Sequence, residues 1–384
     1  MDVRAILLVG GQPASATSET VGGVPIGFLD VLGDTVLGRV IARLQRFGIS
    51  GMALVSETPT ALPYAREVVR PDITWTQTSR ENFWRGAENA FVDLAQAGAE
   101  LVLVVRVGAY AEIDFEELIQ FHLDKGCRVA SAEDADGVPL DILSISASRR
   151  NDAAFLFRHE LRQFRTPCEN YVFRGYINRL ENAADLRRLT MDAFLGNVAF
   201  KPIGVEIRPG VWAGEGARIH KLARVLAPAF IGDYAKIRAR AVITRGSSVS
   251  HHAEVDCGTV VESSNVLPYA CIGAGLDVTH SVVGFSHIAN LRRNVEIEIE
   301  DPKLISMTPV YAPARALGSA LSLATLVPRS IIRSVVGRTS KVPCSLPDAI
   351  NTPPSTLKIP EEASQAPGSF TSNNLAVVRR YGDE

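Results

Sequence analysis

A constant interval of six residues runs from residue 207 to residue 267 and limits what this part of the chain can fold into. Side chains repeat every ~3.6 residues in a helix and every ~2 in a strand, so neither element has this period. A coil of three short strands, each one hexapeptide long, does have it. The interval therefore predicts a parallel β-helix over 201–292. It is marked by eleven residues: Ile207, Ala213, Ile219, Val225, Ile231, Ile237, Ile243, Val249, Val255, Val261 and Leu267.

Small or short residues follow the same rhythm. They stand four positions after successive members of the series: Ala217, Ala223, Ala229, Ala235, Ala241, Ser247, Ala253, Thr259, Asn265 and Cys271. We expect the aliphatic residue to fill the interior of a triangular prism and the small residue to fit near its corner. Ile272 and Val278 continue the series one residue early, which predicts a turn or an end-cap after Leu267.

The first 200 residues alternate strand and helix patterns. The strands are mostly apolar runs that end near glycine, and the helices have apolar residues at helical spacing. Such alternation predicts crossover units and a parallel sheet, that is, an α/β domain over 1–200. Asp34 is the expected N-cap of the first helix. The predicted strands and helices are Val3–Val9, Thr35–Phe47, Met52–Val55, Phe83–Ala97, Leu101–Val107 and Asp114–Lys125.

The C-terminal part changes character again. No acidic residue occurs between Asp301 and Asp348, and an uncharged apolar stretch lies inside that interval. We predict a basic, partly apolar helical segment over 293–338 and a disordered tail over 339–384. In the simpler interpretation, the segment packs on the β-helix or on a protein partner. In the alternative, residues 303–341 lie on an anionic membrane surface.

Charge and cysteine content exclude some classes. Forty basic residues against 42 acidic ones give a net charge of −2, so no overall field would recruit nucleic acid. Five dispersed cysteines favour reduced thiols over a disulfide framework. With no leader pattern at the N-terminus, the expected location is cytoplasmic, or peripheral to a membrane if 303–341 binds lipid.

Several stretches, in order, resemble the sugar-phosphate nucleotidyltransferases, also called nucleotide-sugar pyrophosphorylases. They are Leu7–Gly11, Pro25–Leu37, Gln77, Arg85–Ala87, Asp114–Gly126 with His122, and Gly175–Tyr176. The resemblance covers roughly residues 1–290 and implies a Rossmann-like nucleotidyltransferase domain followed by a left-handed parallel β-helix. It also implies a setting in sugar-nucleotide or polysaccharide-precursor metabolism.

The same resemblance implies a nucleotide site. The matched candidates for binding a nucleotide or nucleotide-sugar are Gly10, Gly11, Gln77 and Gly86. Family enzymes transfer a nucleotidyl group with the help of bound Mg²⁺, and Mg²⁺ is expected here only if that activity is retained.

The charged groups of that chemistry are missing from the matched positions. Ile26 stands where the family has a lysine, while Gly108 and Arg179 stand where it has metal-binding aspartates. Pro13 and Ser15 occupy its phosphate-binding loop, and the stretch between Val129 and Asp141 is too short for a second lysine segment. We therefore expect a degenerate relative with no catalytic or metal residues, acting as a regulatory or scaffolding subunit. An active transferase with an atypical site is the alternative.

Acyl transfer is a second alternative, because hexapeptide-repeat domains also serve as acyltransferases that use a histidine as base. His251 and His252 are the candidates, expected to face outward near a coil corner where another subunit could approach. A β-helix of this type also predicts a homo-oligomer formed through its flat faces. Asp30 and Asp34 are expected to be caps or solvated charges.

Overall fold

A seven-stranded mixed sheet organises the first part of the chain. In the computed structural model, the described residues are 1–10, 20–21, 24–57, 73–161, 170–308 and 379–380. Strand β1 (Val3–Val9) is central, because its nearly continuous apolar run suits a strand covered on both faces. It pairs in parallel with β4 (Met52–Glu57) and with β6 (Leu101–Arg106). The prediction of an α/β part with a largely parallel sheet is confirmed.

The sheet order is β10-β8-β9-β6-β1-β4-β5. Strand β5 is parallel to β4, β10 is parallel to β8, and β9 runs antiparallel to both β6 and β8. The carboxyl ends of β1, β4, β5, β6 and β8 therefore meet at one edge. The remaining strands are β5 (Ile73–Thr78), β8 (Val129–Glu133), β9 (Pro139–Ser146) and β10 (Asn170–Val172).

Helices cover both faces of the sheet. One apolar core joins the sheet to the first, third and fifth helices, and a second core joins its other face to the second and fourth. Thr35, not Asp34, caps the first helix, since its side chain accepts from the Gly38 N–H. The helices are α1 (Val36–Arg46), α2 (Phe83–Gln96), α3 (Phe115–Asp124), α4 (Ala153–Phe155) and α5 (Ala183–Leu195).

Short elements complete this part. Two antiparallel pairs lie outside the main sheet, β2 with β3 and β7 with β11. Single helical turns precede α1, α2 and α4 and follow α4. These elements are β2 (Thr20–Val21), β3 (Val24–Pro25), β7 (Tyr110–Ala111), β11 (Ile177–Asn178) and the turns Ile26–Phe28, Arg80–Asn82, Ala147–Asp152 and Leu156–Glu160.

Many short strands follow. Most of them pair in parallel with the strand three places further along the chain. Successive strands pass in turn through three sheets, and the aliphatic series forms one core between them. The first sheet contains β13 (Val211–Ala213), β16 (Ala229–Ile231), β19 (Ser247–Val249), β22 (Asn265–Val266) and β25 (Ser281–Val283). The second contains β14 (Arg218–Ile219), β17 (Lys236–Ile237), β20 (Glu254–Val255) and β23 (Ala270–Ile272). The third contains β15 (Arg224–Val225), β18 (Val242–Thr244), β21 (Val260–Glu262) and β24 (Asp277–Thr279).

Both ends of the predicted series need correction. Ile207 is 43% exposed and lies on β12 (Val205–Arg208), which pairs antiparallel with β13. At the other end Val266, not Leu267, pairs with Val249 and enters the repeat core. The spacing between core residues thus shortens from six to five after Val261. The sequence predicted this change one hexad later, after Leu267. Parallel pairing then continues to Val283 instead of ending near Leu267.

The corners of the repeats use the left-handed backbone region. Positive φ occurs at Gly216, Tyr234, Arg240 and His252, each directly before a small residue of the series. Only glycine enters this region without a steric cost, which for other residues is about 1–2 kcal/mol. Packing of the aliphatic core therefore holds several non-glycine corners in place.

Antiparallel strands follow Val283. Strand β26 (His287–Asn290) pairs with β25 and with β27 (Val295–Glu298), and β28 (Ile305–Met307) pairs with β23. Residues 293–308 of the predicted helical segment therefore contain strands, and 309–338 lie outside the described residues. The predicted tail also lies outside them, apart from β29 (Arg379–Arg380), which pairs with β27.

Two further findings concern the cysteines and the membrane. Cys127 and Cys271 are free thiols, whereas Cys257 is disulfide-bonded, contrary to the expectation of reduced thiols throughout. Across the part of the chain that the structure describes, no helix has the length and apolar character needed to cross a bilayer.

The two ends of the aliphatic series give a direct test of this register. Replacing the fully buried Ile243 by alanine should lower the free energy of unfolding by about 2–5 kcal/mol, because the cavity cannot close. The matched change Ile207→Ala should cost less than about 0.5 kcal/mol. Urea denaturation measures both values, and equal costs would contradict the register.

Candidate functional site

The carboxyl edge of the main sheet brings together the described residues of the predicted nucleotide site. Val9 pairs with Ser56 and Ser56 with Gln77, so Gly10, Glu57 and Gln77 follow one another along this edge. Ligands of open α/β sheets bind outside the carboxyl ends of the strands. The edge is therefore the candidate functional site.

Close packing explains the two described glycines. Gly10 has φ 115°, and a Cβ there would come within 2.7 Å of the Glu57 side chain. A Cβ on Gly86 would meet Thr78 Cγ2 at 2.7 Å, so α2 can approach β5 only with glycine at this position. Gly11 and the loop residues Pro13 and Ser15 lie outside the described residues.

Gln77 is exposed and available to a ligand. Pairing with β4 fixes its backbone, and the Trp75 side chain two residues earlier donates from Nε1 to the buried Ser56 hydroxyl at 2.8 Å. Ser56 and Glu57 belong to this edge but were not predicted as site residues. The Met52–Glu57 strand pattern could have indicated them, because residues after a buried strand reach the edge.

The two predicted metal positions are neighbours, and neither carries a carboxylate. Asn178 pairs with Tyr110, which brings Arg179 alongside the segment that begins at Gly108. Arg179 forms an ion pair with Asp134 and donates to the Pro139 carbonyl at 3.4 Å. Among the described residues no group of three His, Cys, Asp or Glu side chains could hold a metal ion.

A second ion pair lies beside the first. Arg106, at the end of β6, contacts Asp141 across the strands at 2.6 Å. Asp141 adopts the left-handed region with φ 59°, an uncommon conformation for a non-glycine residue. Arg106 was missed from the sequence as a site residue, and Arg179 was noted only as a replacement for a metal-binding aspartate, because both ion pairs depend on cross-strand neighbours.

The carboxylate of Asp134 is held in its charged form. The Val138 N–H donates to it at 2.8 Å, and this contact, together with the Arg179 pair, lowers the pKa of Asp134. The described residues at this edge therefore do not fit a Mg²⁺ site. Two carboxylates at this edge are already engaged by guanidinium groups, and an arginine occupies a predicted ligand position.

The position matched to the family's lysine belongs to the core. Ile26 is 6% exposed and packs in the apolar cluster that joins the sheet to α1. The next residue, Gly27, lies against Val9, where a Cβ would be 3.0 Å from Val9 Cγ1. A charged side chain at residue 26 would therefore be buried without a partner.

His251 does not face outward as expected. Its Nδ1 lies 2.9 Å from Oδ2 of Asp30, which is itself 4% exposed, at the junction between the sheet part and the repeats. His252 stacks between the rings of Tyr234 and Tyr269, with centroids 5.1 and 5.0 Å away. The two histidines predicted for acyl transfer therefore have different roles. His251 contacts Asp30 at the junction, and His252 stacks with aromatic rings at a corner of the repeats.

Asp30 is a buried junction residue and not a solvated charge. Burial alone would raise the pKa of Asp30, but the His251 side chain and the N–H groups of Gly33 and His251 outweigh it and lower the pKa. The N–H of Gly33 donates to Asp30 Oδ1 at 2.8 Å, so Asp30 also serves as the expected turn cap.

The other histidines are dispersed. His122 is buried on α3 between the hydroxyls of Ser144 and Ser146, and its pKa is lowered by burial. His159 lies on the turn that follows α4, and His220, His280 and His287 lie at separate points of the repeats. His122 lies toward the opposite edge of the sheet, since its partner Ser146 is the last residue of the antiparallel strand β9.

Comparison with known proteins gives a limited result. No family model matches the chain, and no curated protein matches it. Solved structures similar to it include HddC from Yersinia pseudotuberculosis and the same protein complexed with GMP-PN. Each is 16% identical and covers 48% of this chain and 97% of its own, with TM-scores of 0.38 and 0.37. Similarity at this level carries no argument about function.

The lowered pKa of Asp30 predicts how stability depends on pH. A carboxyl with a lowered pKa in the folded state stabilises the protein above its unfolded pKa of about 3.9, and this contribution is lost as pH falls through the folded pKa. Asp30→Asn should therefore cost about 1–3 kcal/mol near pH 6 and progressively less below about pH 4.

The control is Asp277→Asn, which makes the same change at an exposed residue. Urea unfolding of both variants and the parent at a series of pH values measures the differences. A penalty for Asp30→Asn that stays constant down to pH ~2.5 would count against a charged Asp30 at the junction.

Proposed function

We propose that this chain is a degenerate relative of the sugar-phosphate nucleotidyltransferases that binds a nucleotide or nucleotide-sugar without transferring it. Its first part would be a Rossmann-like nucleotidyltransferase domain and its repeats a left-handed parallel β-helix. Through these parts it would serve as a regulatory or scaffolding subunit in sugar-nucleotide metabolism. The observation that carries the proposal is the carboxyl edge of the sheet, which holds Gly10 and Gln77 and, on other strands of the same edge, two arginine–carboxylate pairs.

Binding and chemistry place different demands on this edge. A nucleotide needs a close backbone approach, which Gly10 at the end of β1 can supply, and polar groups for the base, which the exposed Gln77 can supply. Nucleotidyl transfer also needs cations where charge builds up on the phosphate oxygens, and removing one such group typically costs ~10²-fold in rate. Here Arg106 and Arg179 are already paired with Asp141 and Asp134.

The structure bears differently on the two alternatives, an active transferase and an acyltransferase. An active transferase would have to release both arginines from their carboxylates or stabilise the transition state with them in place. Acyl transfer gains nothing from the geometry, because the His251 side chain is 15% exposed and faces Asp30. The predicted homo-oligomer and the predicted contact of 303–341 with a protein or membrane stay predictions, and 309–341 lie outside the described residues.

Calorimetric titration with nucleoside triphosphates and nucleoside diphosphate sugars tests the binding. We expect Gln77→Ala to weaken binding about tenfold, since it removes a charge-free hydrogen-bonding group worth about 1–1.5 kcal/mol. The matched control is Thr76→Ala, on the opposite face of the same strand. If neither the parent nor Thr76→Ala binds any of these ligands, the proposal is wrong and a purely structural role is favoured.

The same preparations test the absence of chemistry. Pyrophosphate release from each nucleoside triphosphate with a panel of sugar 1-phosphates and Mg²⁺ should not rise above the protein-free rate. Turnover that is abolished by Gln77→Ala but not by Thr76→Ala would establish the active-transferase alternative instead.

A further inference from the structure

A cavity of about 410 Å³ lies between α1 and residues 199–203, the segment that leads from α5 to the repeats. Its volume falls in the range of small-molecule sites, about 300–1,000 Å³. None of Gly10, Gln77 and Gly86 lines it, so it is separate from the candidate nucleotide site. Its charged lining consists of Arg39, Arg43, Arg46, Lys201 and Asp34.

The three arginines share one face of α1, because residues four and three positions apart lie side by side on a helix. Like charges at this spacing destabilise a helix by about 0.2–0.5 kcal/mol per pair. The lining therefore concentrates four cations against one carboxylate at a cost in stability. A bound anion would offset that cost.

Two of the guanidinium groups are oriented by hydrogen bonds to backbone carbonyls. Arg39 lies 4.4 Å over the Phe200 ring and donates through Nη2 to two carbonyls, while its buried Nε has no partner among the described residues. Arg43 donates to the carbonyls of Ile113 at 2.9 Å and Glu112 at 2.7 Å. Carbonyl dipoles orient these planes without neutralising their charge.

The outer cations are exposed and unpaired within the described ranges. Arg46 and Lys201 form no ion pair there. Of the nearby carboxylates, Asp34 accepts from the Thr35 N–H at 2.8 Å and its charge also acts on Arg39, while Glu112 accepts from the Tyr110 hydroxyl at 3.1 Å. The pocket thus keeps excess positive charge beside a partly apolar wall.

We propose that this pocket binds a phosphorylated small molecule, with its phosphate between Arg43, Arg46 and Lys201. Guanidinium groups bind phosphate through paired N–H donors, and Arg43 has an Nη1 group to offer. The Arg39 guanidinium already bridges to the Lys201 carbonyl at 3.3 Å, and the Ile203 N–H donates to the Leu32 carbonyl at 2.9 Å. A ligand here would therefore stiffen the junction that carries the repeats.

Titration with inorganic pyrophosphate at fixed ionic strength tests the proposal. We expect Arg46→Gln/Lys201→Gln to weaken binding at least about tenfold, because two charge-assisted contacts are lost. The matched control is Arg218→Gln/Arg224→Gln, which removes the same charge from exposed arginines of the repeats and should bind like the parent. Ala42→Phe should weaken binding by filling the cavity without changing any charge.

Each of the following four outcomes would contradict the proposal. No binding by the parent overturns the proposal, and an equal loss in the control pair assigns the binding to general surface charge. Unchanged affinity in Ala42→Phe removes the cavity as the location. Loss of pyrophosphate binding in Gln77→Ala alone would move the anion to the carboxyl edge of the sheet, which also contradicts the proposal.

Discussion

The buried guanidinium of Arg187 is the contact on which the union of the two parts depends. It projects from α5 and donates to the Gly246 carbonyl, to Arg245 O at 2.9 Å and to Asn265 Oδ1 at 3.1 Å. Burial lowers the pKa of Arg187 to about 10, and no described carboxylate pairs with it. Its hydrogen bonds go to corner residues of the repeats, so the charge is stabilised only when α5 and those corners are both in place.

This junction is polar at its centre and apolar around it. Asn265 also donates to Thr190 on α5 at 2.7 Å, and Asp30 contacts His251 at the neighbouring corner. Leu267 and Tyr269, although they come from the repeats, belong to the core of the sheet part. The deviation from six-residue spacing after Val261 has a physical role here, because it turns Leu267 outward toward that core.

The sequence predicted the elements that local patterns determine. Val3–Val9 and Leu101–Val107 are recognisable because strands buried on both faces are apolar throughout, and the six-residue series is recognisable because each coil repeats its environment. The left-handed corners at Tyr234 and His252 were not predictable, since the surrounding packing imposes that conformation. Asp30 and His251 are 221 residues apart, and no local pattern links them.

The candidate site was predictable only in part. Gly10, Gly86 and Gln77 came from a resemblance, and the sheet register then brought Gly10 and Gln77 to one edge. The ion pairs of Arg106 and Arg179 depend on cross-strand contacts that a sequence does not display. The basic pocket beside α1 was missed because Arg39, Arg43 and Arg46 also have the spacing of an ordinary solvated helix face.

Guanidinium groups occupy the edge where a metal-binding enzyme needs free carboxylates, so ligand binding there should not require a metal. The most direct measurement is the affinity for a nucleoside diphosphate sugar by calorimetry, once with Mg²⁺ and once with a chelator. We expect the two affinities to agree within about twofold. A loss of about tenfold or more on chelation would contradict this expectation.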